Sequence, residues 1–235
     1  MGCNMSETIN GFKERIKKPE LLSPAGNFEK LKAAILYGAD AVYCAGKSFG
    51  MRSAADNFTV DELYEAVEYT HERGKKLYLT LNTMPHYDEF PELVNFILSV
   101  KDAGIDAFIV ADLGVIDAVR EHIPNAEIHI STQAGIVSPA TARSYVKLGA
   151  KRVVLARELH FTEIDAIRKA LPENIEIEAF IHGSMCVSYS GRCMLSNMLA
   201  KRDANRGCCT QPCRWNYVLY EEKRPDFPIP IEQTE

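Results

Sequence analysis

Seven times along this chain a short apolar run gives way to an amphipathic stretch, at roughly 25 residues per unit. The runs are ELLSPA (20–25), ADAVYCAG (39–46), KKLYLTLN (75–82), IDAFIVAD (105–112), AEIHISTQ (126–133), KRVVLARE (151–158) and NIEIEAFIHG (174–183). Between them, apolar residues recur at helical spacing, as with Phe28, Leu31, Ile35 and Leu36. Asn27 and Thr59 are placed to cap the first two helices, and Gly38 and Gly74 to end them. The joints YGADAVY, AGIDAFI and LGAKRVV repeat one device: a glycine stops a helix and an apolar strand begins.

Short, continuously apolar strands alternating with helices imply a parallel sheet buried on both faces. The expected fold is α/β, a TIM-barrel-like (β/α) repeat, since such barrels take about 250 residues. An open, doubly wound sheet is the alternative. The eighth strand is expected to be missing by truncation. The tail NYVLYEEKRPDFPIPIEQTE offers at most one β-like segment, WNYVLYEE, with no helix after it. The expected division is a lead-in over 1–18, a barrel-like catalytic domain over 19–183, a cysteine-rich cluster-binding segment over 184–214, and the start of a further β element over 215–235.

The chain has 235 residues, 46% apolar and 25% charged, enough for a sizeable core. No apolar run reaches the roughly 18 residues of a membrane span, so no membrane partner is expected. The start, MGCNMSETINGFKERIKK, lacks the apolar centre of a secretory signal, which points to the reducing cytoplasm. Gly2 and Ser6 stand at acylation spacing, but the lysines downstream read better as a solvated lead-in helix. A net charge of −5 argues against nucleic-acid binding by the whole surface and leaves room for a local basic face.

Five of the seven cysteines fall in EAFIHGSMCVSYSGRCMLSNMLAKRDANRGCCTQPCR (178–214). Cys186 and Cys193 are separated by six residues, Cys193 and Cys209 by fifteen, and Cys209 and Cys213 by three; Cys208 stands beside Cys209 and could replace it. Four thiolates suffice for one tetrahedral metal or iron–sulfur site. Arg192, Lys201, Arg202, Arg206 and Arg214 face only Asp203 between the first and last of these cysteines, and cationic neighbours favour thiolates. Zinc is the weaker metal choice, because only Cys209 and Cys213 form a tight pair. A reducing compartment disfavours disulfides. Burial as small hydrophobes is the ordinary alternative, and it suffices for Cys3 and Cys44.

Barrel enzymes work at the carboxyl ends of their strands. Those ends hold Ser23, Tyr43 with Lys47, Asn82, Asp112, Thr132 with Gln133, Arg157 with Glu158, and Glu178 with His182. Any one of these would pass as a helix cap, and Asp112 and Thr132 have that ordinary reading. Together they predict a polar pocket at one mouth, with the cysteine segment folded over it. Arg52, in RSAADNF after the second strand, is a further anion-binding candidate. His182 and Cys186, four apart, could also pair as base and nucleophile. No H-E-x-x-H, G-x-S-x-G or P-loop is present in the sequence, so familiar zinc or serine protease chemistry has no motif support.

These segments resemble peptidase family U32, the collagenase-like proteases. ELLSPAGNFEKLKAAILYGADAVYCAG, RSAADNF, LYLTLN, GIDAFIVAD, EIHISTQ, VVLAREL, EAFIHGSMCVSYSGRCMLS and NRGCCTQPCR carry the likeness, from about residue 19 to 220. The resemblance implies a barrel-like catalytic domain followed by more chain. It implies either metal-dependent proteolysis, the historic label, or oxygen-independent hydroxylation by a [4Fe-4S] protein. The pattern is most similar to the branch that hydroxylates a tRNA uridine with prephenate as co-substrate. On that reading Cys186, Cys193, Cys209 and Cys213 hold the cluster, and Arg157, Arg192, Arg206 and Arg214 bind phosphate or carboxylate, beside Asn82, Asp112 and Gln133. Glu158, Glu178 and His182 are the proton-transfer candidates. Under the peptidase alternative, with a peptide or protein substrate, His182 and Glu178 serve a metal or act as base. A non-catalytic, metal-bearing scaffold is the third reading.

Overall fold

The computed structural model describes residues 18–50, 56–183, 186–189 and 193–229. Residues 1–17 of the expected 1–18 lead-in, and Arg52, Ser184 and Arg192, lie outside the described residues.

The alternating runs fold as expected. β1 (Leu22–Pro24), β2 (Ala41–Ala45), β3 (Lys76–Leu81), β4 (Ala107–Val110), β5 (Ile128–Ile130), β6 (Arg152–Val154) and β7 (Glu176–Glu178) pair in parallel, each with its sequence neighbour. Strand order equal to chain order is the winding of a (β/α) barrel; a doubly wound sheet would reverse direction from an interior strand. β1 and β7 are the two edges of this curled, seven-stranded half-barrel.

The helices α1 (Phe28–Leu36), α2 (Val60–His71), α3 (Phe90–Val100), α4 (Leu113–His122), α5 (Pro139–Lys147) and α6 (Phe161–Ala170) follow β1 to β6 in turn. Their starts are held by side chains. Asn27 accepts the Lys30 N–H, Thr59 and Glu62 form a reciprocal capping box, and Ser138 accepts the Thr141 N–H ahead of Pro139. Their stops use glycine where the backbone turns left-handed: φ is 100° at Gly38 and 84° at Gly149.

The outer face of the sheet is apolar. Leu77, Leu79, Leu81, Phe108, Ile130 and Val153 are buried against helix residues such as Leu31, Leu63, Leu93 and Ile97. Each buried leucine contributes about 1.5–3 kcal/mol. The inner face departs from the expectation of strands apolar on both sides. It is lined by Ala41, Tyr43, Tyr78, Ala107 and Ile109, then turns polar. Registry carries one row from Thr80 through Ile109, His129 and Arg152 to Glu176. The cause is period-two alternation: His129 and Glu176 share a face that Ile130 and Ile177 do not.

After β7 come a short helix, α7 (Leu195–Ala200), and 3-10 turns at Ala204–Arg206 and Pro212–Arg214. β8 (Leu219–Glu221) and β9 (Arg224–Ile229) then form an antiparallel hairpin separate from the main sheet. WNYVLYEE thus begins a two-stranded element.

Candidate active site at the carboxyl ends of the strands

At the mouth, each polar strand end has a definite place. Tyr43 is half-buried on the inner cluster. Lys47 lines a cleft with Asp56, Asn57, Phe58 and Glu62 between the starts of α1 and α2. Asn82 donates from its Nδ2 to Ser131 Oγ at 3.3 Å, tying β3 to β5. Thr132 donates its hydroxyl to the Leu155 carbonyl at 3.1 Å, which joins the end of β5 to that of β6. Gln133 follows in the same 3-10 turn, half-buried.

Asp112 caps α4: one carboxylate oxygen accepts the N–H groups of Gly114 at 2.8 Å and Val115 at 3.2 Å. Its ordinary structural reading is therefore realised. Arg157 differs. Its Nε is buried with no hydrogen-bond partner among the described residues. A buried donor without an acceptor costs about 1–3 kcal/mol, so this guanidinium is set to receive one. Glu158 is exposed beside it, and His182 is exposed on the segment leaving β7.

Glu178 points inward. Arg152 Nη1 donates to its carboxylate at 3.3 Å, and only 20% of the side chain is exposed. Burial raises its pKa above the ordinary carboxylate value, and the Arg152 charge opposes that rise. Arg152 is the centre of a network in the amino-terminal half of the barrel. Its Nε donates to Glu176 at 2.8 Å, its Nη2 lies 2.9 Å from Glu20 Oε1, and the Tyr78 hydroxyl donates to that same oxygen at 2.8 Å. Burial works against the guanidinium charge, but Glu176, Tyr78 and Glu20 outweigh it and raise the pKa. His129, fully buried, packs edge-on to the Tyr78 ring at 4.8 Å. Burial lowers its pKa to about 3, so it is neutral and its Nε2–H donates to Glu127 at 2.9 Å.

The cysteine segment is held together by its own polar contacts. Buried Ser196 of α7 accepts the Thr210 N–H at 3.1 Å. Trp215 Nε1 donates to the Thr210 carbonyl at 3.2 Å, and the Tyr217 hydroxyl to the Pro212 carbonyl at 2.7 Å. Gln211, in the left-handed region at φ 55°, aims its N–H at Cys209 Sγ, 3.3 Å away. Arg206 forms an ion pair with Glu89, which precedes α3 at the carboxyl end of β3. That pair docks the segment at the mouth. Arg214 is exposed in the turn of Cys213.

All six described cysteines are thiols: Cys44 is buried, Cys193 and Cys208 half-buried, and Cys186, Cys209 and Cys213 exposed. Among the described residues, the one trio of His, Cys or carboxylate ligand atoms within 4.8 Å is Glu127, His129 and Glu176, in the Arg152 network. The sulfurs are not gathered as tightly as a single zinc ion would hold them, with Zn–S near 2.3 Å and sulfurs about 3.8 Å apart. The donor set still fits an iron–sulfur cluster: four thiols on one segment, cationic neighbours, and a backbone N–H on one sulfur.

The sequence reading passed over Arg152, Glu20, Tyr78 and His129. Polar or ionisable residues at every second position in EIHIS and NIEIE were the available signal. It also missed Glu89 and the Ser196–Thr210 link, which no local pattern announces.

A winding half-barrel with a cysteine segment docked at its carboxyl mouth defines a class of barrel protein with a thiol-rich site. The chain belongs to peptidase family U32, whose model matches residues 26–235. It is 46% identical over 217 residues to tRNA hydroxylation protein P1 of Bacillus subtilis, covering 92% of this chain and 51% of that protein. It is 42% identical over 204 residues to the 23S rRNA 5-hydroxycytidine C2501 synthase of Escherichia coli, covering 87% of this chain and 30% of that enzyme. The chain thus spans about half the length, or less, of these relatives. The solved U32 peptidase Mk0906 shares the fold, with a TM-score of 0.57 at 16% identity, over 70% of this chain and 71% of that one. Among the described residues, no helix is long and apolar enough to cross a membrane.

Proposed function

We propose that this chain carries the catalytic barrel of an RNA-hydroxylating enzyme, with a tRNA uridine as target, a [4Fe-4S] cluster on Cys186, Cys193, Cys209 and Cys213, and prephenate as co-substrate. The observation that carries the reading is the docking of a four-thiol segment at the mouth of a barrel whose relatives are named for hydroxylating RNA. When bound, such a cluster supplies one-electron chemistry. This chain's residues would do the rest. Arg157 offers its unpartnered Nε to a carboxylate or phosphate. Asn82 and Gln133 hydrogen-bond the bound molecule from neighbouring strand ends. Glu178, holding its proton to higher pH than an ordinary carboxyl, and Glu158 or His182 exchange protons with it.

The family name keeps a peptidase reading in play. It would need Glu178 and His182 to serve one metal or one water. Glu178 is instead hydrogen-bonded to Arg152 Nη1 at 3.3 Å.

The test begins with anaerobically prepared protein. About four iron and four sulfide per chain, lost in Cys193→Ala, are expected. Expression in a strain lacking its own activity should add one oxygen to a tRNA uridine, read by nucleoside mass spectrometry. One zinc without sulfide, or peptide cleavage with unmodified tRNA, overturns the reading.

A further inference from the structure

We infer that Trp215 and Tyr217, with Lys201, Arg202 and Arg214, form a landing platform for an unpaired stretch of RNA beside the barrel mouth. The inference rests on the RNA reading above and says where the RNA lies. The two rings are 46% and 57% exposed, yet each is anchored by its polar end on the Cys209–Cys213 turn. Anchored, half-exposed rings lose little freedom when a base stacks on them. The cations are joined to the same turn. α7 is fastened to it through Ser196 and Thr210, and Lys201 and Arg202 stand exposed at the end of α7. Lys201 ends the helix in the left-handed conformation at φ 55°.

Charge points to a polyanion. Residues 201–224 carry six lysines and arginines against three carboxylates, in a chain whose net charge is −5. Basic groups interleaved with aromatic rings make a single-strand surface: the cations take the phosphates and the rings take the bases. A duplex would keep its bases from the rings, so the fitting occupant is a loop or an open strand. Arg206, paired with Glu89, holds the whole unit against the loop before α3. A strand lying on Trp215 and Tyr217 would rest on the segment that Arg206 ties to Glu89, at the carboxyl end of β3.

Trp215 is the one tryptophan in the chain and reports on its own surface. The intact chain is titrated with a short oligouridylate, with the same sequence in a duplex, and with heparin. Quenching of Trp215 fluorescence by the single strand only is expected. Trp215→Ala and Tyr217→Ala should each weaken single-strand binding about tenfold. The double variant Lys201→Asn, Arg202→Gln should flatten the log–log salt slope by about 1.4; asparagine tolerates the left-handed backbone at 201. RNA bound without quenching, and with unchanged affinity in the ring variants, overturns this platform and leaves the hydroxylation reading standing. Equal quenching by heparin or duplex overturns it too, as does a concentration-dependent dimer that hides Trp215. If the ring variants lose RNA binding while uridine modification never occurs, the platform stands and the hydroxylation reading falls.

Discussion

Arg152 Nη2 lies 2.9 Å from Glu20 Oε1, joining the sixth strand to the residues that lead into the first. The contact links β6, the neighbour of edge strand β7, to the residues just before the other edge strand, β1, and no strand-to-strand hydrogen bonds join β6 to β1. Arg152→Ala should cost about 3–5 kcal/mol in urea unfolding, because Glu176, Glu178 and Glu20 lose their shared cation. Arg152→Met should cost less in the double variant with Glu176→Gln, where fewer buried charges are stranded.

Acid should act through His129. Its folded pKa is about 3 against an ordinary 6.5, so below 6.5 the unfolded chain binds a proton that the folded chain refuses. The stability this represents is complete above 6.5 and is lost as pH falls, by up to about 1.4 kcal/mol per pH unit. Glu178 has the opposite sign. Its raised pKa means that stability falls as pH rises from 4.5 through the folded value. Urea midpoints from about pH 4 to about pH 7 should climb less steeply in His129→Gln and more steeply in Glu178→Gln.

The adjacent thiols should separate cleanly. Cys209 Sγ receives the Gln211 N–H, whereas the Cys208 backbone is turned to the Asp203 carbonyl at 3.1 Å. Cys209→Ala is expected to abolish iron and sulfide, and Cys208→Ala to retain them, in anaerobic preparations. Iron retained in Cys209→Ala and lost in Cys208→Ala would assign the third ligand to Cys208 instead.

Asp112 distinguishes a cap from a substrate contact. Asn is as good a cap as Asp, so Asp112→Asn should leave the melting temperature unchanged and Asp112→Ala should cost about 1 kcal/mol. Uridine hydroxylation that survives in Asp112→Asn confines the residue to capping. Its loss would put the carboxylate on the substrate.

Ser196→Ala leaves the Thr210 N–H without its partner and should destabilise the cysteine turn locally by about 1–2 kcal/mol. Hydrogen exchange should speed up at Thr210 and Gln211 while the β2–β4 amides stay protected.

The winding was legible because it rests on local rules: Asn27 and Thr59 cap, Gly38 stops, and apolar strands follow. The polar lining was not, because KRVVLARE and NIEIEAF read as continuous apolar runs, whereas in the sheet alternate positions face opposite layers. Arg152 meets Glu20 only across 132 residues of chain, a distance that no periodicity spans. At the mouth, residue types were readable and their partners were not. Asp112 and Arg157 look alike as polar strand ends, and only packing gives one two donors and leaves the other with a buried Nε. Arg206, read as a substrate contact, is committed to Glu89 by a fold-level approach.

The seclusion of Arg152 gives the molecule two electrostatic systems that answer to different variables. Its side chain is 6% exposed, so the ion atmosphere scarcely reaches it, while Arg202 and Arg214 stand in that atmosphere. Raising ionic strength should release whatever polyanion sits outside and leave the Arg152 network intact, and acidification should loosen that network by neutralising its carboxylates long before it discharges an outer arginine. A salt wash and an acid wash would therefore remove different things from the same small protein.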